Sequence, residues 1–128
     1  MSTADAVAPL VLRQPPVGDV AAVGRALDDA FAALREAVPA GRPVIVVLRD
    51  DDLLGQRSPE DAALAAALLG MVRALAMEGA RAGWQVNAVS HRDGDGPLEE
   101  TLRWLGTAPG VTGQLLRVTT DHLGRVWP

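Results

Sequence analysis

"ALLGMVRALAMEGARAGWQVNAVS", residues 67–90, decides how the chain folds. Its first two thirds carry apolar residues at three- and four-residue spacing, the mark of a helix. "WQVNAVS" (84–90) then reads as a strand, with Gly83 closing the helix before it. Working back, "SPED" supplies the helix start: Ser58 as N-cap, Pro59 at the first helical position and Asp61 at the third. The helix is apolar on two stripes. Leu64, Leu68, Val72 and Leu75 form one; Ala63, Ala67, Gly70, Ala74 and Met77 form the other. A helix apolar on two faces is buried on both. A sheet covers one face, and the other is expected to meet a second molecule or to be sandwiched within its own monomer.

The same alternation runs outward in both directions. "APLVLRQ" (8–14) is a short strand bounded by prolines. "DVAAVGRALDDAFAALREAV" (19–38) is helical, with Val20, Val23, Leu27, Phe31, Leu34 and Val38 in phase and Asp19 as N-cap. "RPVIVVLRD" (42–50) is a β-branched run typical of a strand buried on both faces of a parallel sheet. "GPLEETLRWLGT" (96–107) is a short amphipathic helix, and "GQLLRVTT" (113–120) a fourth strand. The order β-α-β-α-β-α-β with right-handed crossovers predicts an α/β fold. The expected architecture is a four-stranded, mostly parallel sheet with helices on both faces. No repeat or linker divides the 128 residues, so one domain is expected, with 1–7 and 121–128 as tails.

Composition excludes several functions. All twelve basic residues are Arg, so lysine chemistry is absent, and there is no cysteine for disulfides, thiolate catalysis or metal ligation. A net charge of −4 argues against nucleic acid or an anionic membrane as partner. The start "MSTADAVAP" lacks the features of a signal peptide, and the run "AALAAALLGMV" (62–72) stops at Arg73, too short to span a bilayer. A cytoplasmic protein is expected.

The central stretch resembles the short-chain dehydrogenase/reductase family. The family's helix after the active-site tyrosine, A-x-x-G-h-x-R-A-L-A-x-E, is matched by Ala67, Gly70, Arg73, Ala74, Leu75, Ala76 and Glu78. Its following glycine and V-N-A-V strand are matched by Gly83 and Val86, Asn87, Ala88 and Val89. "TGQLLRV", with Thr112, Gly113, Gln114 and Val118, is similar to the family's closing strand, and "GRPVIVV" (41–47) to the strand that delivers the catalytic serine. The likeness covers about residues 40–120 and implies a truncated Rossmann-like half-domain. The glycine-rich T-G-x-x-x-G-x-G turn that holds the dinucleotide phosphates in the family has no counterpart here.

The resemblance also locates the family's reacting groups. Counting back from Gly70, its lysine position is Ala65 and its tyrosine position Asp61; its serine falls on Leu48 or Arg49. The Pro-Gly that lines the nicotinamide site is replaced by His91 and Arg92. Hydride transfer of this type needs a phenol acid with a lysine beside it, so no cofactor is expected and the chain is not expected to be an oxidoreductase on its own.

Ligands of open α/β sheets bind beyond the strands' carboxyl ends. That rim carries Arg13 and Gln14; Arg49, Asp50, Asp51 and Asp52; His91, Arg92 and Asp93; then Asp121 and His122. Asp50 or Asp51 with His91 is the candidate acid–base pair for a small-molecule site. The matching activity is a cyclase, isomerase or dehydratase, as in secondary metabolism. The simpler reading makes "RDDD" a solvated loop leaving a strand, "HRDGDG" a turn and Asp61 a helix-start carboxylate, and no ligand spacing recommends a metal. The leading expectation is a catalytically silent assembly or regulatory subunit. It dimerises, or pairs with a full-length reductase, through Phe31, Ala63, Ala67, Gly70, Ala74 and Met77, with Leu115 and Trp127 near the end of the chain.

Overall fold

The computed structural model describes residues 7–93 and 96–120. Trp127, Asp121 and His122, and the tail boundaries read from sequence, lie outside the described residues or at their margin. The element order is β1 (Leu10–Arg13), α1 (Val20–Ala37), β2 (Val44–Arg49), α2 (Asp50–Leu53), α3 (Pro59–Glu78), β3 (Val86–His91), α4 (Leu98–Leu105) and β4 (Leu115–Val118). The four strands form one sheet in the order β1-β2-β3-β4, and every pairing is parallel rather than merely most of them.

β2 and β3 are the central strands, and their first five residues are buried, as a doubly covered parallel sheet requires. Alternate side chains enter two cores. Val44, Val46, Leu48, Val86 and Ala88 pack beneath α1 and α3 with Leu34, Leu64, Leu68 and Val72. Ile45, Val47 and Val89 face α4 with Leu102 and Leu105.

Local chemistry sets the helix starts. Asp19 accepts the Ala22 amide at 2.7 Å, and Ser58 accepts the Asp61 amide at 3.0 Å with Pro59 as the first helical residue. The helix ends are less local. α3 stops at Glu78, short of the expected Gly83, because Gly79 is its C-cap and the Trp84 ring occupies the space a Cβ there would need. Gly83, at φ 75°, then turns the chain into β3. A second correction concerns "RDDD". It is no solvated loop: α2 begins directly after β2, and Asp50 and Asp52 are both 0 % exposed.

α3 is buried on one face only. Leu64, Ala65, Leu68, Leu69, Val72 and Ala76 are buried, whereas Ala63, Gly70, Ala74 and Met77 are exposed and Ala67 half-buried. Phe31 on α1 is 50 % exposed and Met77 82 %. Leu115 instead packs against the chain's own core.

Candidate functional site

The carboxyl ends of the strands carry a layer of paired charges. Each acid of Asp50–Asp52 emerges from the end of the buried strand β2, where an ionised carboxylate persists only when paired and hydrogen-bonded. Arg117 on β4 donates to both oxygens of Asp50, Nε at 2.8 Å and Nη2 at 2.6 Å, and the Ser90 hydroxyl donates at 3.1 Å. The Arg117 guanidinium, aided by Ser90 and Arg92 and opposed by burial, holds the Asp50 carboxyl below its ordinary range. Asp50 in turn raises the Arg117 pKa. Arg92 donates to Asp51 at 2.7 and 3.1 Å nearer the surface.

A second cluster ties the β1–α1 connection to the start of α3. Arg49 donates to Asp52, to the Gln14 carbonyl at 2.9 Å and to Asp61 at 3.3 Å. Gln14 is buried and bridges the same groups. Its amide donates to Asp52 at 3.2 Å and to the Asp61 carbonyl at 3.3 Å, and its oxygen accepts the Arg49 amide at 3.0 Å. Asp61 also accepts from the Ser58 hydroxyl at 2.8 Å and the Val17 amide at 3.2 Å. Burial works against ionising Asp61, but Ser58, Val17 and Arg49 outweigh it and hold its carboxyl below the usual range. Asp52 Oδ1 accepts no hydrogen bond and has Arg57 at 3.7 Å as its counter-charge.

The candidate acid–base residues are thus neighbours in the fold but engaged separately. Asp50 is bound by Arg117 and Ser90, Asp51 by Arg92, and His91 Nδ1 lies 3.9 Å from Asp93. A general base needs an accessible lone pair and a pKa near the working pH. Asp50 is fully buried, accepts three hydrogen bonds and has a lowered pKa. Among the described residues, no group of three or more His, Asp or Glu is placed to hold a metal ion.

Sequence reading missed Arg117 and Ser90. The signal for Arg117 was present: a lone charge inside the apolar strand "LLRV" demands a partner. Asn87, matched to the family's V-N-A-V strand, serves the scaffold. Its amide donates to the Val111 carbonyl at 2.9 Å and its oxygen accepts the Gln114 amide at 3.1 Å, setting the approach of β4.

The dinucleotide implied by the resemblance does not fit these residues. The lysine position, Ala65, is 0 % exposed and has no group to offer a ribose. The tyrosine position, Asp61, is held by Ser58, Val17 and Arg49, and Arg49, at one of the two serine positions, is its ion-pair partner.

A family model described as SDR-like, a short chain dehydrogenase-like protein, matches residues 10–118. A solved structure of a short chain dehydrogenase/reductase family protein is similar at TM-score 0.60 and 21 % identity, over 84 % of this chain and 64 % of that one. The chain therefore spans less than two thirds of that neighbour's length, and the likeness concerns the fold. No curated protein matches the sequence. The match over most of its length means that this chain belongs to the SDR-like family of short chain dehydrogenase-like proteins.

Proposed function

We propose that the chain is a catalytically silent member of its family, an assembly or regulatory subunit of the cytoplasm. It forms a dimer with itself or a heteromer with a full-length reductase. One observation carries the reading: the outward face of α3. Ala63, Gly70, Ala74 and Met77 lie exposed along it, and Phe31 of α1 stands exposed too. Such an apolar strip, rimmed by the exposed Arg73 and Glu78, fits a contact surface. Gly70 sharpens the point. It sits inside a helix, where glycine costs about 0.5–1 kcal/mol relative to alanine, yet a Cβ there would meet nothing within 4 Å. Nothing in its own chain explains the glycine; the close approach of another helix does.

The site chemistry supports the other half of the reading. Where the family needs a phenol, a lysine and a hydroxyl, this chain has Asp61, Ala65 and Leu48 or Arg49, and Arg49 is drawn into a salt bridge with Asp61. The runner-up, a cyclase, isomerase or dehydratase using Asp50, Asp51 and His91, gains no support from an Asp50 saturated by Arg117 and Ser90.

The test is co-expression with a full-length reductase, followed by co-purification and assay of hydride transfer. A defined complex, or a self-dimer that leaves nicotinamide dinucleotide untouched, is the expected result. Turnover of the dinucleotide by the pure chain would sink the proposal.

A further inference from the structure

The face of the sheet that meets α4 is covered unevenly. α4 packs Leu102 and Leu105 onto Ile45, Val47 and Val89 in the middle of the sheet. Farther out, between α4 and β4, the layers part into a groove of about 440 Å³. Leu116 and Val118 line it from β4, Thr101 and Trp104 from α4. Trp104 is 54 % exposed there, although Leu102 and Leu105 of the same helix are buried. The one guanidinium in the lining, that of Arg117, is committed to Asp50.

The groove has two distinct ends. At one, Gly96 lies so near β4 that a Cβ there would stand 2.8 Å from the Val118 side chain, and Pro97 and Thr120 complete the mouth. Trp104 marks the far end, about 10 Å from Pro97 along the axis of α4. The described chain stops at the mouth. Eight residues follow Thr120, "DHLGRVWP" (121–128), with Leu123, Val126 and Trp127 as apolar side chains. "DHLG" has Asp first and Gly fourth, the residue types a type I turn prefers at those places. A turn over 121–124 sends the chain back, and "RVWP" then spans about 13 Å when extended, enough to run the length of the groove. Glu100, exposed one helical turn before Trp104, offers Arg125 a charge of opposite sign.

We propose that residues 121–128 fold back as a strap over this groove, with the Trp127 ring against Trp104 and Leu116. The strap is tethered at Thr120, at the mouth itself. Its effective concentration therefore exceeds that of the same segment on a second copy. Seating it takes two indole rings out of water together and closes the outer flank of the core on the α4 side. It also withdraws Trp127 from the assembly surface and leaves contact with a partner to the outward face of α3. The strap is independent of the assembly reading and forms whether the chain is single or paired.

The unmodified protein gives the first test. In nuclear Overhauser spectra, the Trp127 ring is expected to contact the Trp104 ring or the Leu116 methyls at every protein concentration. Contacts found only between differently labelled copies would give the groove to the tail of a second chain. That result overturns the proposal, and so does the absence of contacts. Thiol chemistry gives the second test. The chain has no cysteine, so Thr101→Cys places a single thiol in the groove. Its reaction with a bulky maleimide is expected to quicken at least about tenfold when Trp127→Asp is added, because a local protecting contact is lost. Equal rates in two cooperatively folded variants also overturn the proposal.

Discussion

Arg117 and Asp50 stand 67 residues apart in sequence and meet as a two-pronged pair with side-chain exposures of 9 % and 0 %. Removing one partner of such a pair leaves the other charged, buried and alone. Arg117→Met is therefore expected to cost about 3–5 kcal/mol, read as a fall in the urea midpoint. Adding Asp50→Asn should recover part of that loss; a double variant no better than the single would mean that Arg117 acts by packing alone. Acid should expose the same chemistry. Asp50 and Asp61 both titrate below the ordinary value of 3.8 when folded. Their stabilising effect is complete above that value and is lost as pH falls through the lower folded values. A urea midpoint that is flat near neutrality and drops in the acid range below 3.8 is expected, with a smaller drop in Asp61→Asn. A midpoint indifferent to acid contradicts the pairing. Sequence made the rim legible as a row of charges, because Asp50–Asp52 and His91 fall at strand ends. It did not reveal their partners: which arginine meets which acid depends on strand order and register, and those are long-range facts.

Among the elements, α3 has one glycine within it, Gly70, and one at its C-cap, Gly79, with opposite meanings. At Gly79 a Cβ would collide with the Trp84 ring, whereas at Gly70 it would meet nothing. Gly79→Ala is expected to cost about 1–3 kcal/mol through overpacking. Gly70→Ala in dilute solution is expected to stabilise the chain by about 0.5–1 kcal/mol through helix propensity. Thermal melts of the two variants, moving in opposite directions, check both. Melts that move together would show that the space around one of these glycines is misjudged. The contrast also explains what could be read from sequence. Helix starts follow from neighbours a few residues apart, as Asp19 with Ala22 and Ser58 with Asp61 show, and these were legible. The end of α3 is set by where Trp84 falls after the chain has turned, and so it was misplaced by several residues. α2 was missed because three consecutive aspartates look solvated until their arginines are known.

For the whole molecule, the fold followed from alternating apolar strands and helices, and the family from the helix-to-strand stretch at 67–90, matched within residues 10–118. What the molecule does with that fold turns on its surfaces. β1 is flanked by Pro9 and Pro15, the strand ends are filled by neutralised charges, and the outward side of α3 carries Ala63, Gly70, Ala74 and Met77 beside the exposed Arg73 and Glu78. Among the described residues no helix is long and apolar enough to cross a membrane, so that face is not explained by a lipid span. The proposed assembly through α3 can be read from native mass. Light scattering behind size exclusion should be run on the 13.4 kDa chain and on Gly70→Arg, whose new side chain has open space in the monomer. An oligomer is expected for the first, and a cooperatively folded species of half its mass for the second. The same mass for both, whether one chain or several, would contradict it.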